Sequence, residues 1–201
     1  VALTVAAIQL RAQTRYDLLI RGGQVVDGSG AAAVRADVGV TGDRIRAVGD
    51  LGGATATTVV DASGRYVTAG FIDVHSHAGP GLATAELKEG RPVLAQGITT
   101  VLVNPDGGGP VDLAAQRTEY QKRGIGLNVG LMVPHGSVRN AVLGMSDRDP
   151  AAADLAKMTA LVGDGMRAGA FGLSSGLYYA PGSYSKTAEV IAMAREAAPF
   201  G

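Results

Sequence analysis

From Tyr66 onward the sequence switches period repeatedly, and that alternation limits the folds open to the chain more than any other feature. Strand-like runs ("AGFIDVHSH", "ITTVLVNP", "IGLNVGLMVPHG", "AFGLSSG") alternate with helical ones ("PVLAQG", "VDLAAQRTEYQKRG", "AAADLAKMTALVGDGMRAG", "TAEVIAMAREAA"). Parallel strands need a long crossover, usually helical, so this rhythm predicts a parallel sheet with helices packed on it. Leu155, Met158, Leu161 and Val162 fall at the three- and four-residue spacing of one buried helix face. Before Tyr66 the text differs. Between Tyr16 and Asp61, short runs of strand formers are punctuated by Gly22-Gly23, Asp27-Gly28 and Gly42-Asp43. These are hairpin signals and predict a small antiparallel β module.

Charge and cysteine content narrow the partners. Lys plus Arg (18) balances Asp plus Glu (18), so no charge excess points to nucleic acid or an anionic membrane. With no Cys, disulfides and thiolate metal sites are excluded. The opening "VALTVAAIQL", followed by "RAQT", resembles the end of a secretory signal with a cleavage site after Ala12. On that reading residues 1–15 are a leader remnant and the protein is periplasmic or secreted. Read instead as an ordinary buried strand or helix, the same stretch fits a cytoplasmic protein. Ten residues are too few to span a bilayer, so no membrane span is expected.

The stretch "GFIDVHSHAGPG", Gly70 to Gly81, holds two of the three histidines. In a strand, residues two apart share a face. Phe71, Asp73, His75 and His77 then point one way, and the apolar Ile72 and Val74 the other, towards helices. The imidazoles arrive at the C-terminal edge of the strand, where parallel α/β proteins build their sites. Two converging neutral imidazoles suit zinc or a similar ion. The plainer reading is a hydrogen-bonded histidine pair.

The short β module, "AGFIDVHSH" and the strand opened by "QGITTV" resemble the amidohydrolase superfamily of metal-dependent hydrolases. "PHGSVR" (Pro134–Arg139) and "GLSSGLYYAPG" (Gly172–Gly182) narrow the resemblance to the N-acyl-D-amino-acid deacylase, or D-aminoacylase, group. The likeness covers nearly everything from Tyr16 onward. It implies an α/β fold: the first half of a metal-dependent (β/α)8 barrel (residues 67–201) preceded by part of a small β-sandwich (residues 16–66). It implies His75 and His77 as metal ligands. Where the group carries a Cys ligand, this chain has "NPDGGGP", which puts Asp106 in that place. A carboxylate is a competent harder ligand and can bridge two ions, so one or two zinc or similar divalent ions are expected. The alternative for Asp106 is a turn former ahead of Gly107-Gly108-Gly109.

The resemblance also implies that His135, Arg139, Ser174, Ser175 and Tyr179 line the substrate pocket. Arg139 would grip a substrate carboxylate in two-pronged fashion. The plainer alternatives are a loop-stabilising histidine, a solvated arginine and tyrosines packing a loop. "GLSSG" also fits G-x-S-x-G, which would make Ser174 the nucleophile of a serine hydrolase. A nucleophile elbow needs an immediate helix, whereas "LYYAPGSYS" follows here.

The expected activity is metal-dependent hydrolysis of a linear amide, an N-acyl-D-amino acid. The alternatives are a cyclic amide on the same fold, a serine hydrolase, and a non-catalytic barrel. The partner is a small-molecule substrate; oligomeric state is not legible. A full barrel needs about 250 residues. The resemblance implies further histidine ligands and a proton-shuttling Asp downstream of Gly201, and the 201-residue chain alone is expected to be inactive.

Overall fold

The computed structural model describes residues 14–200, which fall into two compact units divided after Ala69. Of the expected leader remnant, residues 1–13 lie outside the described residues, and Arg15 already belongs to a strand. No described helix is long and apolar enough to cross a membrane.

In the first unit, β1 (Arg15–Val26), β2 (Val34–Thr41), β3 (Arg44–Gly49) and β4 (Thr55–Asp61) form a sheet in the order β3-β2-β1-β4. A fifth strand, β5 (Tyr66–Thr68), also pairs with β1. Strands β1, β2 and β3 pair antiparallel, but β4 and β5 run parallel to β1. The sheet is therefore mixed, not the antiparallel module expected. The reason lies at Gly22-Gly23, which is not a hairpin. β1 runs straight through it, with a register slip between Ile20 and Gly23. Gly22 takes φ +68°, open to a residue without Cβ, and its N–H donates to Asp37 Oδ1 at 2.8 Å. The bulge lets one 12-residue strand pair first with β4 and then with β5. Gly42-Asp43 does form the tight turn between β2 and β3. Tyr16, Leu19 and Val38 are buried in this unit.

In the second unit, β6 (Phe71–Asp73), β7 (Ile98–Val103) and β8 (Asn128–Leu131) form a parallel sheet in that order. β9 (Val133–Pro134) pairs in parallel with β10 (Leu173–Ser174). Only Met132 separates β8 from β9, and its N–H donates to Val103 O at 3.1 Å. Successive parallel strands in sequence order are the opening of a (β/α)8 barrel. The helices sit in the crossovers. α1 (Gly79–Leu82) and α2 (Arg91–Leu94) fill the first, and α3 (Leu113–Arg123) the second. α4 (His135–Leu143) and α5 (Ala152–Arg167) fill the third, and α6 (Thr187–Ala197) follows β10.

Local chemistry explains the helix limits. α3 starts where the Asp112 carboxylate accepts the Ala115 N–H at 2.9 Å, and ends at Gly124, which takes φ +65°. The core joins Val101, Val103, Leu131 and Val133 from the strands to Leu113, Met158, Val162 and Met193 from the helices. Met158 and Val162 of the expected α5 face are fully buried, and each such side chain contributes about 1.5–3 kcal/mol.

One element is shorter than expected. β6 stops at Asp73, whose carboxylate accepts the His75 N–H at 3.1 Å and turns the chain out of the strand. His75 and His77 therefore stand in the bend after the strand, not on its face. Ile72 and Val74, expected to pack under helices, are exposed.

Candidate metal centre

Two loops meet at the C-terminal ends of β6 and β7. The first carries His75 and His77. The second is the turn Asn104–Gly107, where Asn104 (φ 64°) and Asp106 (φ 55°) both adopt the left-handed conformation. Asn and Asp tolerate that conformation better than other residues with a Cβ. The turn brings Asp106 Oδ2 to 3.2 Å from His75 Nε2 and 3.3 Å from His77 Nε2. The two rings are tilted, with centroids 5.5 Å apart. One donor atom from each of the three residues lies within 4.8 Å of the other two.

These separations suit a common ion. Ligands about 2.0–2.2 Å from a tetrahedral zinc stand roughly 3.3–3.5 Å from each other. Two imidazole nitrogens and one carboxylate oxygen are also a borderline donor set that zinc accepts. The side chains remain open, at 59% exposure for His75, 71% for His77 and 31% for Asp106. The sequence-predicted ligands are thus brought together.

Ser174, another predicted residue, supports this turn. The Ser174 hydroxyl donates to Asn104 O at 2.6 Å and accepts from Gly107 N at 3.1 Å. Both hydrogen bonds are to backbone. Ser174 has no histidine partner among the described residues, and only a loop and a single 3-10 turn precede α6, so the nucleophile elbow is not built. Gly176 packs so closely that a Cβ there would stand 2.2 Å from Asp106 O. Ser137 completes the clamp, its N–H donating to Gly107 O at 3.0 Å and its hydroxyl accepting from Gly109 N at 3.2 Å.

A cavity of about 510 Å³ opens beside the cluster, with His77, Asp106, Ser137, Asn140, Met145 and Tyr179 in its wall. Tyr179 is 57% exposed. Ser175 is exposed and stands outside this wall.

His135 and Arg139 are placed differently. Both are completely buried at the start of α4. His135 Nε2 lies 3.0 Å from Glu189 Oε1, and the Ser185 hydroxyl donates to the same oxygen at 2.9 Å. Arg139 Nη1 donates to Glu189 Oε2, and its Nη2 donates to Ser146 O at 3.2 Å and Arg148 O at 2.8 Å. A carboxylate only accepts, so His135 carries its proton on Nε2. Nδ1 of His135 and Nε of Arg139 have no partner among the described residues. The two-pronged grip on a substrate carboxylate is thus corrected: the Arg139 guanidinium is committed to the interior. Glu189 was missed in the sequence. Its signal was there, because Glu189, Met193 and Ala197 recur at four-residue spacing and form the buried stripe of α6.

The chain is similar to known proteins in sequence and fold. The amidohydrolase family model matches residues 58–198. The chain belongs to the amidohydrolase family. This amidohydrolase is 37% identical to N-acyl-D-glutamate deacylase of Alcaligenes xylosoxydans xylosoxydans, across 94% of its own length and 43% of that protein's. It is 34% identical to D-aminoacylase of the same organism, across 92% and 43%. Among solved structures it resembles N-acyl-D-glutamate deacylase from Bordetella bronchiseptica, complexed with zinc and a phosphonate that mimics the tetrahedral intermediate. The TM-score is 0.84 at 34% identity, covering 92% of this chain and 43% of that one. The chain therefore spans less than half the length of these relatives, and its second unit is the N-terminal part of their barrel fold.

Proposed function

We propose that the full-length protein is a metal-dependent deacylase of N-acyl-D-amino acids, with a divalent ion, zinc by preference, held in part by His75, His77 and Asp106. The observation that carries this reading is the convergence of both Nε2 atoms on one Asp106 oxygen, at the rim of a substrate-sized cavity. When bound, such an ion supplies Lewis acidity to an amide carbonyl and acidifies water towards neutral pH. The chain's own residues hold the donors. The left-handed turn presents the Asp106 carboxylate, while Ser174, Ser137 and Gly176 fix the turn from behind. Tyr179 offers a phenol to the substrate from the cavity wall, and Ser175 stands four residues before it. Arg139, paired inside with Glu189, is left out of the binding of the amino-acid carboxylate on this reading. His135, the third histidine, is paired to Glu189 and is not placed to join the ion. Similarity to N-acyl-D-glutamate deacylase and D-aminoacylase supports the linear D-substrate over a cyclic amide.

The test is metal content and turnover of an N-acyl-D-amino acid by the full-length protein. Chelator should abolish turnover, and zinc should restore it. The His75→Ala, His77→Ala double variant should lose the ion, and full retention by that variant sinks the proposal. Asp106→Asn keeps a side chain that tolerates the left-handed turn. It should fold normally and bind zinc at least roughly tenfold more weakly. Unchanged affinity would return Asp106 to the role of turn former.

A further inference from the structure

The site has a second cavity, of about 660 Å³, between the loop that begins α1 and the exposed side of α3. Its walls include His77 and Gly108, which also line the first cavity, so the two meet at the metal cluster. Much of the remaining wall is apolar: Pro80, Ala83, Pro105, Pro110 and Ala115.

The polar side chains at its base are closed off. Asn104 and Gln116 form a reciprocal amide pair, at 2.9 Å and 3.1 Å. The second Asn104 N–H donates to Met132 O at 3.1 Å, and the second Gln116 N–H reaches the Tyr120 hydroxyl at 3.0 Å. The Tyr120 hydroxyl donates in turn to Gly79 O at 3.0 Å. Every N–H and O–H donor of these three side chains is used. A polar ligand entering here would lose its water and gain no donor from them.

Charge sorts the ligand further. The charged residues in the wall are Asp112 and Glu119, both acidic, and among the described residues no Lys or Arg lines it. Asp112 already caps α3 and Glu119 pairs with Arg123. An anion finds nothing to hold it there. An N-acyl amino acid has two arms on either side of its amide: one carries the carboxylate, the other, when aliphatic, is neutral and apolar.

We infer that this second cavity is the acyl-chain subsite, which takes an aliphatic acyl group longer than acetyl. The inference rests on the deacylase reading above and adds the class of acyl group. The first cavity, with Tyr179, Ser137 and Asn140, is left for the amino-acid arm.

The experiment compares N-acetyl, N-butanoyl and N-hexanoyl derivatives of one D-amino acid on the zinc-loaded full-length enzyme. kcat/KM should climb roughly fourfold for each methylene that enters the cavity. Ala115→Phe projects into the cavity from an exposed position of α3 and should lower the hexanoyl-to-acetyl ratio at least tenfold. Ala83→Leu, on the opposite wall, should lower it in the same sense. Hexanamide binding, followed by ligand-observed NMR, should be seen with the wild-type protein and weakened in both variants. A wild-type rate that ignores acyl length, or a ratio untouched by both variants, overturns the subsite while leaving the deacylase reading intact. A rise that follows the amino-acid side chain, with the acyl group fixed, overturns the assignment of arms. Turnover of none of these compounds sinks the deacylase reading, and the acyl assignment falls with it.

Discussion

Two histidine clusters follow strands of the same parallel set, one after β6 and one after β9, and their surroundings make them opposites. His75 and His77 stand open among the described residues, and Asp106 Oδ2 lies 3.2 Å and 3.3 Å from their Nε2 atoms. His135 is enclosed, with Glu189, Ser185 and the paired Arg139 around it. The same residue type at the end of a strand is therefore ligand-ready in one place and structural in the other. The deciding group is a carboxylate and where it comes from. Asp106 arrives on a neighbouring turn and leaves one side of the imidazoles free. Glu189 arrives on α6 and covers His135, while binding a guanidinium with its second oxygen.

The sharpest way to break this contrast is to remove each cluster's centre and read stability and metal together. Glu189→Ala leaves the Arg139 charge buried and unpaired, which should destabilise the protein by about 3–5 kcal/mol. The His75→Ala, His77→Ala variant removes no buried ion pair among the described residues and should destabilise metal-free protein much less than Glu189→Ala. Urea unfolding of chelated full-length protein measures both. Similar losses in the two variants would erase the distinction between an open and a structural cluster.

How much of this was legible in the sequence follows the same division. The strand and helix alternation, Gly42-Asp43 and the grouping of His75, His77 and Asp106 are local or motif-borne, and they could be read. The route by which the histidines converge could not. Extending the strand to His77 ignored the turn set by Asp73, whose side chain bends the backbone two residues later. Gly22-Gly23 read as a hairpin because Gly pairs serve both turns and bulges, and only the partner strands β4 and β5 decide which. Arg139 and Glu189 lie 50 residues apart, so a pairing that buries both charges leaves no local trace.

A smaller effect should come from Ser174, which belongs to the open cluster only through the backbone. Ser174→Ala removes the donor to Asn104 O and the acceptor for Gly107 N, at a cost of about 1–2 kcal/mol. Zinc affinity should fall by less than for Asp106→Asn, because every ligand atom remains. Residual turnover should track metal occupancy. Complete loss of turnover with full occupancy would instead make Ser174 a nucleophile and revive the serine-hydrolase reading.

The smallest expected effect sharpens the comparison from outside the buried cluster. Arg148 O accepts from Arg139, and the Arg148 side chain reaches Asp154 Oδ2 at 2.7 Å on the surface. The Asp154 carboxyl is held below the usual carboxylate range, first by the hydrogen bond from Arg148 and then by the one from the Ala151 N–H. A carboxyl depressed in the folded state contributes stability above its unfolded pKa and loses it as pH falls through the folded one. The loss therefore falls below about pH 4, where an unfolded aspartate is already protonating. Asp154→Asn should remove that component, flattening the fall of the urea midpoint over this range, and the difference should shrink in high salt. The same titration on the double histidine variant should keep the wild-type slope around Asp154. Identical acid profiles for wild type and Asp154→Asn would show that the Arg148 loop holds Arg139 without help from this pair.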